Sequence, residues 1–293
     1  MIGVVGGTGF IGTHLVEALH TSGFALRLLV RNPERARQLA AQNIDVVMGD
    51  LDNFAALKQL CVGCDTIIHL VGLIRETGSQ TWVHVHREGT RKLLEAAKQG
   101  GVAQFIYNSA VGVSKDAKVG YMRTKFEAEE MIKGSGISYT IFRPSFVAGP
   151  GDKSINFFAK LIRWFPVVVV IDAGVKFQPV FILDLVQAIR KSIAHPEAQN
   201  KTFEMGGPDI LTMKEIYQTI ARVLGVRRAW ITIHPNQMRL VAKILTKFPS
   251  APLTEDQLKM LEQDGRCNTK PVSQALQIQF TPFEEALRLY FKK

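Results

Sequence analysis

Tyr121 and Lys125 place a phenol and an ammonium group four residues apart, in the segment Tyr-Met-Arg-Thr-Lys. Residues with this spacing lie on the same face of an α-helix, so the two side chains are predicted to be neighbours. A positive charge beside a phenol favours the phenolate and lowers the pKa of the phenol. The pair is therefore suited to moving a proton near neutral pH. Because the spacing also recurs by chance, its meaning depends on the elements that position it.

A glycine-rich turn lies near the start of the sequence. The predicted strand Ile2–Val5 is followed by Gly6-Gly7-Thr8-Gly9-Phe10-Ile11-Gly12 and a predicted helix over Gly12–Thr21. Gly6 can make a tight turn, Gly9 leaves room for a pyrophosphate, and Gly12 allows close packing of helix on strand. Free N–H groups and the positive dipole at the helix start favour phosphate. The turn predicts a dinucleotide site, and a purely structural glycine turn is the alternative.

The residue after the second predicted strand bears on which dinucleotide binds. NAD-binding sites of this kind place an acidic residue there for the ribose hydroxyls. This chain instead has Arg31, and Arg35 follows one helical turn later. A guanidinium group can pair with a 2′-phosphate through two charge-assisted hydrogen bonds. The sequence therefore favours NADP(H), while NAD(H) and a solvated surface arginine stay open.

Apolar runs alternate with helical patterns in the first half of the chain. The runs are apolar on both faces, which is typical of parallel strands covered by helices on each side. This alternation predicts an α/β fold with a Rossmann-type, doubly wound parallel sheet. The strands are predicted at Ile2–Val5, Leu26–Val30, Val46–Met48, Thr66–Leu70, Phe105–Tyr107 and Tyr139–Phe142, and the helices at Gly12–Thr21, Pro33–Ala41, Phe54–Leu60, Thr81–Lys98 and Tyr121–Ile132.

After Phe142, helical patterns dominate. They predict a small, mainly helical lobe at 151–293, which contacts substrate or a partner. The nucleotide-binding domain is predicted at 1–150, and elements at about 176–200 return to it. The predicted helices are Ser154–Trp164, Leu183–Ile193, Met213–Leu224, Gln237–Phe248, Thr254–Gln263 and Pro282–Tyr290, and the predicted strands are Val167–Val170, Thr202–Met205 and Ala229–Ile233.

The G-x-x-G-x-x-G spacing and the later Tyr121/Lys125 pair resemble the extended and atypical short-chain dehydrogenases/reductases, or NAD-dependent epimerase/dehydratase family. The resemblance implies that Lys125 holds the nicotinamide ribose and that Tyr121 is a general acid or base. The family's catalytic serine or threonine lies near Ser109, but alignment by the strand end puts that position at Ala110. Ser109 is therefore either a third catalytic residue or a residue that lines the cofactor.

The same resemblance implies further cofactor contacts after three of the predicted strands. The residues after the third strand are expected to contact the adenine, and those after the fourth strand the ribose. The residues after the sixth strand are expected to contact the nicotinamide. With the glycine turn and the arginines, the predicted cofactor-binding residues are Gly6, Thr8, Gly9, Phe10, Ile11, Gly12, Arg31, Arg35, Asp50, Leu51, Leu70, Val71, Gly72, Tyr121, Lys125, Pro144, Ser145 and Phe146.

Three stretches of sequence indicate a subfamily within this family, at residues 71–94, Tyr121–Glu129 and Pro252–Leu258. Together they resemble bacterial relatives of the NAD(P)H-binding accessory subunit of respiratory complex I. This implies a protein that holds its nucleotide tightly, with little or specialised turnover. The intact Tyr121/Lys125 pair keeps open an active NADPH-dependent oxidoreductase on an apolar carbonyl or quinone, and a sugar-nucleotide epimerase or dehydratase is a third hypothesis.

The composition excludes several classes of protein. The 293 residues are 46% hydrophobic and 21% charged, which argues against wholesale disorder. No apolar run approaches the ~20 residues that span a bilayer, and the early glycine turn argues against a signal peptide. Three cysteines cannot form a disulfide framework, and the histidines show no metal-ligand spacing. A cytoplasmic protein without a metal site is predicted.

The charge balance is 36 lysines and arginines against 26 acidic residues, a net charge of +10. Such a charge favours anionic partners, but the basic residues are scattered, so no nucleic-acid binding is predicted. The excess of positive charge is explained either by the phosphate of a cofactor or by a peripheral contact with a complex at the inner face of the membrane. Phe157–Trp164 and Met238–Phe248 mix apolar and basic residues, and fit either ordinary lobe helices or such a contact. Phe157–Trp164 also fits the wall of a hydrophobic substrate pocket. The oligomeric state stays undecided.

Overall fold

A mostly buried seven-stranded sheet is built from six strands of the first half of the chain and one later strand in this computed structural model, which describes residues 1–238 and 255–291. Its strand order is β10-β6-β5-β4-β1-β2-β3, and the pairs among β1 to β6 are all parallel. The strands are β1 Ile2–Val5, β2 Leu26–Val30, β3 Asp45–Met48, β4 Thr66–His69, β5 Gln104–Asn108, β6 Ser138–Pro144 and β10 Lys201–Met205. The predicted α/β class and Rossmann-type sheet are confirmed.

Helices connect successive strands of this sheet, as parallel pairing requires. They are α1 Phe10–Thr21, α2 Pro33–Ala40, α3 Phe54–Cys61, α4 Gly89–Gln99 and α5 Gly120–Lys133, followed later by α7 Ile182–Ser192. Asn32 and Asn53 cap α2 and α3 with their side chains, which explains where those two helices begin.

The chain forms two units by its internal contacts. The first comprises Met1–Arg143, Leu185–Glu204 and Lys270–Ile278, and the second comprises Pro144–Asp184, Met205–Thr269 and Gln279–Lys293. The predicted division at residue 150 differs in detail from these bounds. The assignment of the second part to a substrate or partner stays a prediction.

The second unit has a smaller core of helices and short strands. Its helices are α6 Ser154–Trp164, α8 Met213–Val223, α9 Glu255–Met260 and α11 Phe283–Phe291. Its strands form two pairs, β7 Val147–Ala148 with β9 Val180–Phe181, and β8 Val167–Ile171 with β11 Ala229–Ile233. Among the described residues, no helix is long and apolar enough to cross a membrane.

Three sequence predictions need correction or addition. The strand predicted at Thr202–Met205 is β10 of the main sheet rather than part of the lobe. The single helix predicted at Thr81–Lys98 is a π-helical turn, Val83–Glu88, followed by α4. A helix that was not predicted, α10 Lys270–Leu276, belongs to the first unit. In the predicted helix Gln237–Phe248, residues from Arg239 onward lie outside the described residues.

Candidate functional site

The glycine turn between β1 and α1 can be made only by glycine at two positions. Gly6 has a φ of +86°, a region that side chains rarely adopt. A Cβ atom at Gly12 would lie 2.1 Å from the Gly6 carbonyl oxygen, so any side chain there would displace the turn. Gly9 is the N-cap of α1 and offers no side-chain cap. The first backbone N–H groups of α1 therefore have no side-chain acceptor and are suited to bind an anion.

The exposed side chain of Arg31 lies directly after β2, at the strand end that neighbours the glycine turn. β1 and β2 run parallel with Val5 opposite Leu29, so both strands end at the same edge of the sheet. Arg35 stands in the first turn of α2, and its guanidinium group donates to Gln38 Oε1 at 3.0 Å. The fold thus presents Arg31 at the edge where the turn also lies, and its contact with a nucleotide stays a prediction.

The segments after β3 and β4 run along the same edge of the sheet. Asp50 Oδ1 accepts hydrogen bonds from the backbone of Asp52 and Asn53, which shapes the loop carrying Leu51. The Leu70 N–H donates to the Val5 carbonyl at 2.9 Å. A Cβ atom at Gly6 would lie 3.0 Å from the Val71 nitrogen, so the post-β4 segment lies against the glycine turn.

Lys125 of α5 lies beside this post-β4 segment and is only 2% exposed. A Cβ atom at Gly72 would stand 3.6 Å from Lys125 Nζ. Nζ donates to the Asn108 carbonyl at 2.8 Å and lies 3.4 Å from the Tyr107 hydroxyl oxygen. Burial lowers the pKa of Lys125 to about 7, and the Glu129 carboxylate opposes that change.

Tyr121 lies beside Lys125, as the helical spacing predicts. Lys125 Nζ is 5.9 Å from the centre of the Tyr121 ring. The side chain is 8% exposed, and its burial raises the pKa of the phenol above the ordinary value. The expected lowering of this pKa by Lys125 is wrong for this structure, because desolvation of the phenolate dominates.

A buried histidine joins the post-β4 segment to the start of α5. The Leu73 N–H donates to His86 Nε2 at 2.9 Å, and His86 Nδ1 lies 3.0 Å from Thr124 Oγ1. Thr124 Oγ1 in turn donates to the Gly120 carbonyl. Because Nε2 accepts, the neutral ring carries its proton on Nδ1. Burial lowers the pKa of His86 to about 2, so the ring stays neutral.

Two unpaired polar atoms lie at the end of β5, next to the carbonyl that accepts from Lys125. Asn108 Oδ1 and Ser109 Oγ are both buried, and neither has a hydrogen-bond partner among the described residues. Buried polar atoms in native proteins are nearly always paired, so such atoms indicate a polar ligand. Ser109 is 3% exposed, and its hydroxyl lies in the interior. Together with the glycine turn and Lys125, these atoms fit a nicotinamide dinucleotide.

An ion pair that sequence reasoning missed anchors α5 to β6. Glu129 is fully buried, and Arg143 meets it with two hydrogen bonds of 2.9 and 2.5 Å. Lys133 Nζ lies 3.8 Å from the same carboxylate. The sequence does hold a signal for a buried acidic residue here, because Glu129 follows Lys125 by four residues and so lies on the same face of the helix.

Ser145 and Phe146, predicted at the nicotinamide, make contacts within the second unit. Ser145 Oγ donates to the Gly265 carbonyl at 2.9 Å. The Phe146 ring packs with its centre 6.1 Å from that of Phe177. Pro144 ends β6. The cofactor role of these three residues stays a prediction. Among the described residues, no cluster of side chains could hold a metal ion.

Comparison with known proteins extends these observations. A model of the NAD(P)H-binding family matches residues 6–158, more than half of the chain. The ceramide reductase of Caulobacter vibrioides is 26% identical over 286 residues, which cover 96% of this chain and 90% of that protein. The mitochondrial NADH dehydrogenase (ubiquinone) 1 alpha subcomplex subunit 9 of Arabidopsis thaliana is 29% identical over 227 residues, 73% of this chain and 55% of that protein. The chain thus matches only about half the length of the plant subunit.

A solved structure shows the same fold over the whole chain. The NADPH-dependent quinone oxidoreductase of Escherichia coli, in complex with NADPH, has a TM-score of 0.78 and 22% identity, and covers 100% of both chains. At this identity the likeness concerns the fold. The family match and the similarity to the plant subunit confirm the resemblance inferred from the sequence motifs.

Proposed function

Because this chain belongs to the NAD(P)H-binding family, we propose that its first unit binds NADP(H) and retains it, with little or specialised turnover. The observation that carries the proposal is the buried position of Lys125 between Gly72 and the Asn108 carbonyl. Lys125 sits where a ribose can be held. The phenol of Tyr121 is not activated by its neighbour, and the Ser109 hydroxyl lies in the interior. This arrangement is better suited to holding a nucleotide than to rapid proton transfer.

Each part of the site has a distinct task in this proposal. The first turn of α1 binds the pyrophosphate through backbone N–H groups, and Lys125 holds the nicotinamide ribose. His86 and Thr124 fix the post-β4 segment against α5, so that the ribose pocket keeps its shape. A bound nicotinamide supplies a hydride donor or acceptor. Arg31 selects the 2′-phosphate by a charge-assisted contact worth about 1.5–3 kcal/mol.

Retention can be tested by the identity and the exchange rate of the nucleotide. The protein as purified is analysed by mass spectrometry, and bound nucleotide is chased with excess unlabelled NADPH. We expect NADP(H) that leaves over hours. Exchange within seconds would contradict retention.

The choice of nucleotide can be tested with Arg31→Gln, and with Arg37→Gln as the matched control on the exposed face of α2. We expect Arg31→Gln to weaken NADPH binding about ten- to a hundredfold and to leave NADH binding unchanged. Arg37→Gln should change neither affinity. Equal losses for NADPH and NADH would remove Arg31 as the residue that selects the 2′-phosphate.

A second function is favoured by the side-by-side placement of Tyr121 and Lys125 and by the full-length similarity to a ceramide reductase. In this alternative, bound NADPH would supply a hydride to an apolar carbonyl or a quinone. The Tyr121 hydroxyl would donate a proton to the substrate oxygen that becomes negatively charged. Lys125, which lies beside Gly72, would donate a hydrogen bond to the ribose. A ceramide-like lipid is the substrate that the similarity to a ceramide reductase suggests.

The alternative is tested by following NADPH oxidation with long-chain ketones and quinones. Tyr121→Phe should lower kcat by about a hundredfold or more, since general acid catalysis contributes that much, while the NADPH affinity stays the same. Turnover that survives Tyr121→Phe would exclude Tyr121 as the proton donor. Turnover that is lost together with NADPH binding would show only a role in binding.

A further inference from the structure

An exposed apolar surface lies on the second unit, around the β8–β11 pair. We call it the apolar face and define it as Trp164, Phe165, Val167, Val169 and Ile231. Trp164 is 80% exposed, and the other four side chains are between 46% and 54% exposed. Trp164 and Phe165 end α6 and lead through Pro166 into β8, so the surface is continuous along the chain.

The register of the two strands explains why these side chains share one side. Val167 pairs with Ala229, Val169 with Ile231, and Ile171 with Ile233, so that six apolar residues alternate onto the same side of the sheet. The opposite side carries Val168 and Val170, which are buried in the core of the second unit. Within residues 1–238 and 255–291, the β8–β11 pair is therefore packed on one side and open on the other.

The two segments that form the apolar face are rich in basic residues, although Asp172 directly follows Ile171. Residues 153–171 and 216–238, which include β8 and β11, contain no aspartate or glutamate. Their basic residues are Lys153, Lys160, Arg163, Arg222, Arg227 and Arg228. Arg222 is paired with Glu284, and Arg228 donates to the Ile162 and Arg163 carbonyls. Lys160, Arg163 and Arg227 have exposed side chains.

A shallow groove continues this positive surface at the start of β11. It is lined by Arg222, Arg227 and Arg228 together with Trp230 and parts of α8. Guanidinium groups of this kind bind phosphate esters through charge-assisted hydrogen bonds. The groove adjoins the apolar face, since Arg227 and Arg228 directly precede Ala229, the partner of Val167.

We propose that the apolar face docks onto the surface of an anionic phospholipid bilayer. Exposed tryptophan and aliphatic side chains next to arginine and lysine are suited to the boundary between headgroups and acyl chains. The apolar side chains enter that boundary, while Arg227, Arg163 and Lys160 meet the lipid phosphates. The absence of carboxylates in these two segments removes repulsion from anionic headgroups. The contact is independent of the nucleotide site and requires no membrane-spanning helix.

The experiment measures binding of the whole chain to vesicles. Flotation compares phosphatidylcholine vesicles with vesicles that contain about one third phosphatidylglycerol, at low and at physiological salt. We expect binding only to the anionic vesicles, weakened by salt. Tryptophan fluorescence should shift to the blue on binding, and Trp164→Phe should remove most of that shift.

Paired variants connect the binding to the apolar face. The double variant Trp164→Asp with Val169→Asp should reduce vesicle binding about tenfold or more, since charges at this boundary are unfavourable. Val62→Asp, at a valine that is 62% exposed in the first unit, is the matched control and should bind as the wild type does. Circular dichroism and NADPH binding of the double variant establish that it is folded.

Several results would overturn the proposal. They are equal binding to both kinds of vesicle, no binding to either, or a double variant that binds as well as the wild type. Shielding of Trp164 from a soluble quencher without vesicles would show that another part of the protein covers the face. Concentration-dependent dimerisation that the double variant abolishes would assign the face to a second copy of the chain.

Discussion

The two units of this protein depart from the usual distribution of side chains in opposite ways. The first buries charged side chains, and the second exposes apolar ones. In the first unit, Lys125 and Glu129, one turn apart on α5, are both buried. In the second unit, Trp164, Val167 and Val169 stand in solvent. Both arrangements cost free energy in the isolated chain, because buried charge loses hydration and exposed apolar surface orders water.

The difference shows what each unit can bind. Buried lysine with a displaced pKa and unpaired polar atoms at the end of β5 indicate a ligand with many hydrogen-bonding groups. An apolar face surrounded by basic residues indicates a large, anionic and partly apolar surface. Buried charges and exposed apolar side chains are both expected at functional sites. Here the first unit has the buried charges and the second unit has the exposed apolar side chains.

Removal of the buried carboxylate should have the largest effect on stability. Glu129→Gln takes the negative charge away from Arg143 and should lower the free energy of unfolding by about 3 kcal/mol, since the guanidinium group is then left without its ion pair. Glu130→Gln, at the exposed neighbouring position, should change it by less than about 0.5 kcal/mol. Urea denaturation measures both, and equal effects would show that Glu129 contributes no more than a surface charge.

Replacement of the buried lysine should stabilise the protein and weaken nucleotide binding. In the folded state the pKa of Lys125 is about 7 instead of 10.5, so the unfolded chain binds the extra proton between those pH values. The wild type therefore gains stability as the pH rises from about 7 to about 10. At pH 7, burial of this ionisable group costs about 4 kcal/mol of the free energy of unfolding. Lys125→Met removes that cost but leaves the Asn108 carbonyl without its donor, so the net gain is about 2 kcal/mol.

The pH dependence distinguishes this cause from a general packing effect. The advantage of Lys125→Met over the wild type should be greatest at or below pH 7 and should shrink towards pH 10, as measured by urea denaturation at several pH values. NADPH affinity should fall at the same time. A stability difference that is constant over this pH range would mean that the folded pKa of Lys125 is ordinary.

The smallest effects are expected on the open side of the β8–β11 pair. Val169→Thr keeps a β-branched side chain at a position that is 46% exposed, and should change the free energy of unfolding by less than about 0.5 kcal/mol. Val168→Thr, one residue away but only 2% exposed, should cost about 1–2 kcal/mol because its hydroxyl is buried. Thermal unfolding of both variants is the measurement. Similar losses would show that the apolar face is covered in the folded chain.

Local patterns in the sequence predict much of the first unit because its elements are short and strongly marked. β1 and β2 are predicted at their observed bounds, since apolar runs mark them locally, whereas α1 begins at Phe10, two residues before its predicted start at Gly12. The placement of Tyr121 beside Lys125 follows from helical spacing alone. By contrast, β10 joins the main sheet from a distant part of the chain, and no local pattern distinguishes an edge strand of that sheet from a strand of the second unit.

The chemistry of the candidate site was less accessible from the sequence than its location. The raised pKa of Tyr121 depends on how completely the phenol is desolvated, which spacing does not reveal. The Glu129–Arg143 pair joins residues that are 14 positions apart in the chain, on a helix and on the following strand. His86 gave no signal of its contacts with Leu73 and Thr124, because a single histidine on a helix resembles an ordinary packed residue.

The late arrival of β10 has a consequence for the newly synthesised chain. β6 is complete at Pro144, but its neighbour β10 begins at Lys201, so the ribosome must add roughly sixty residues before the sheet can be closed on that side. At ~5–20 residues per second this takes about 3–12 seconds. For that time the outer edge of β6 presents unpaired backbone groups, which are a template for pairing with other nascent chains. Translation speed through residues 145–205 therefore sets how long this edge of the sheet stays open in the nascent chain.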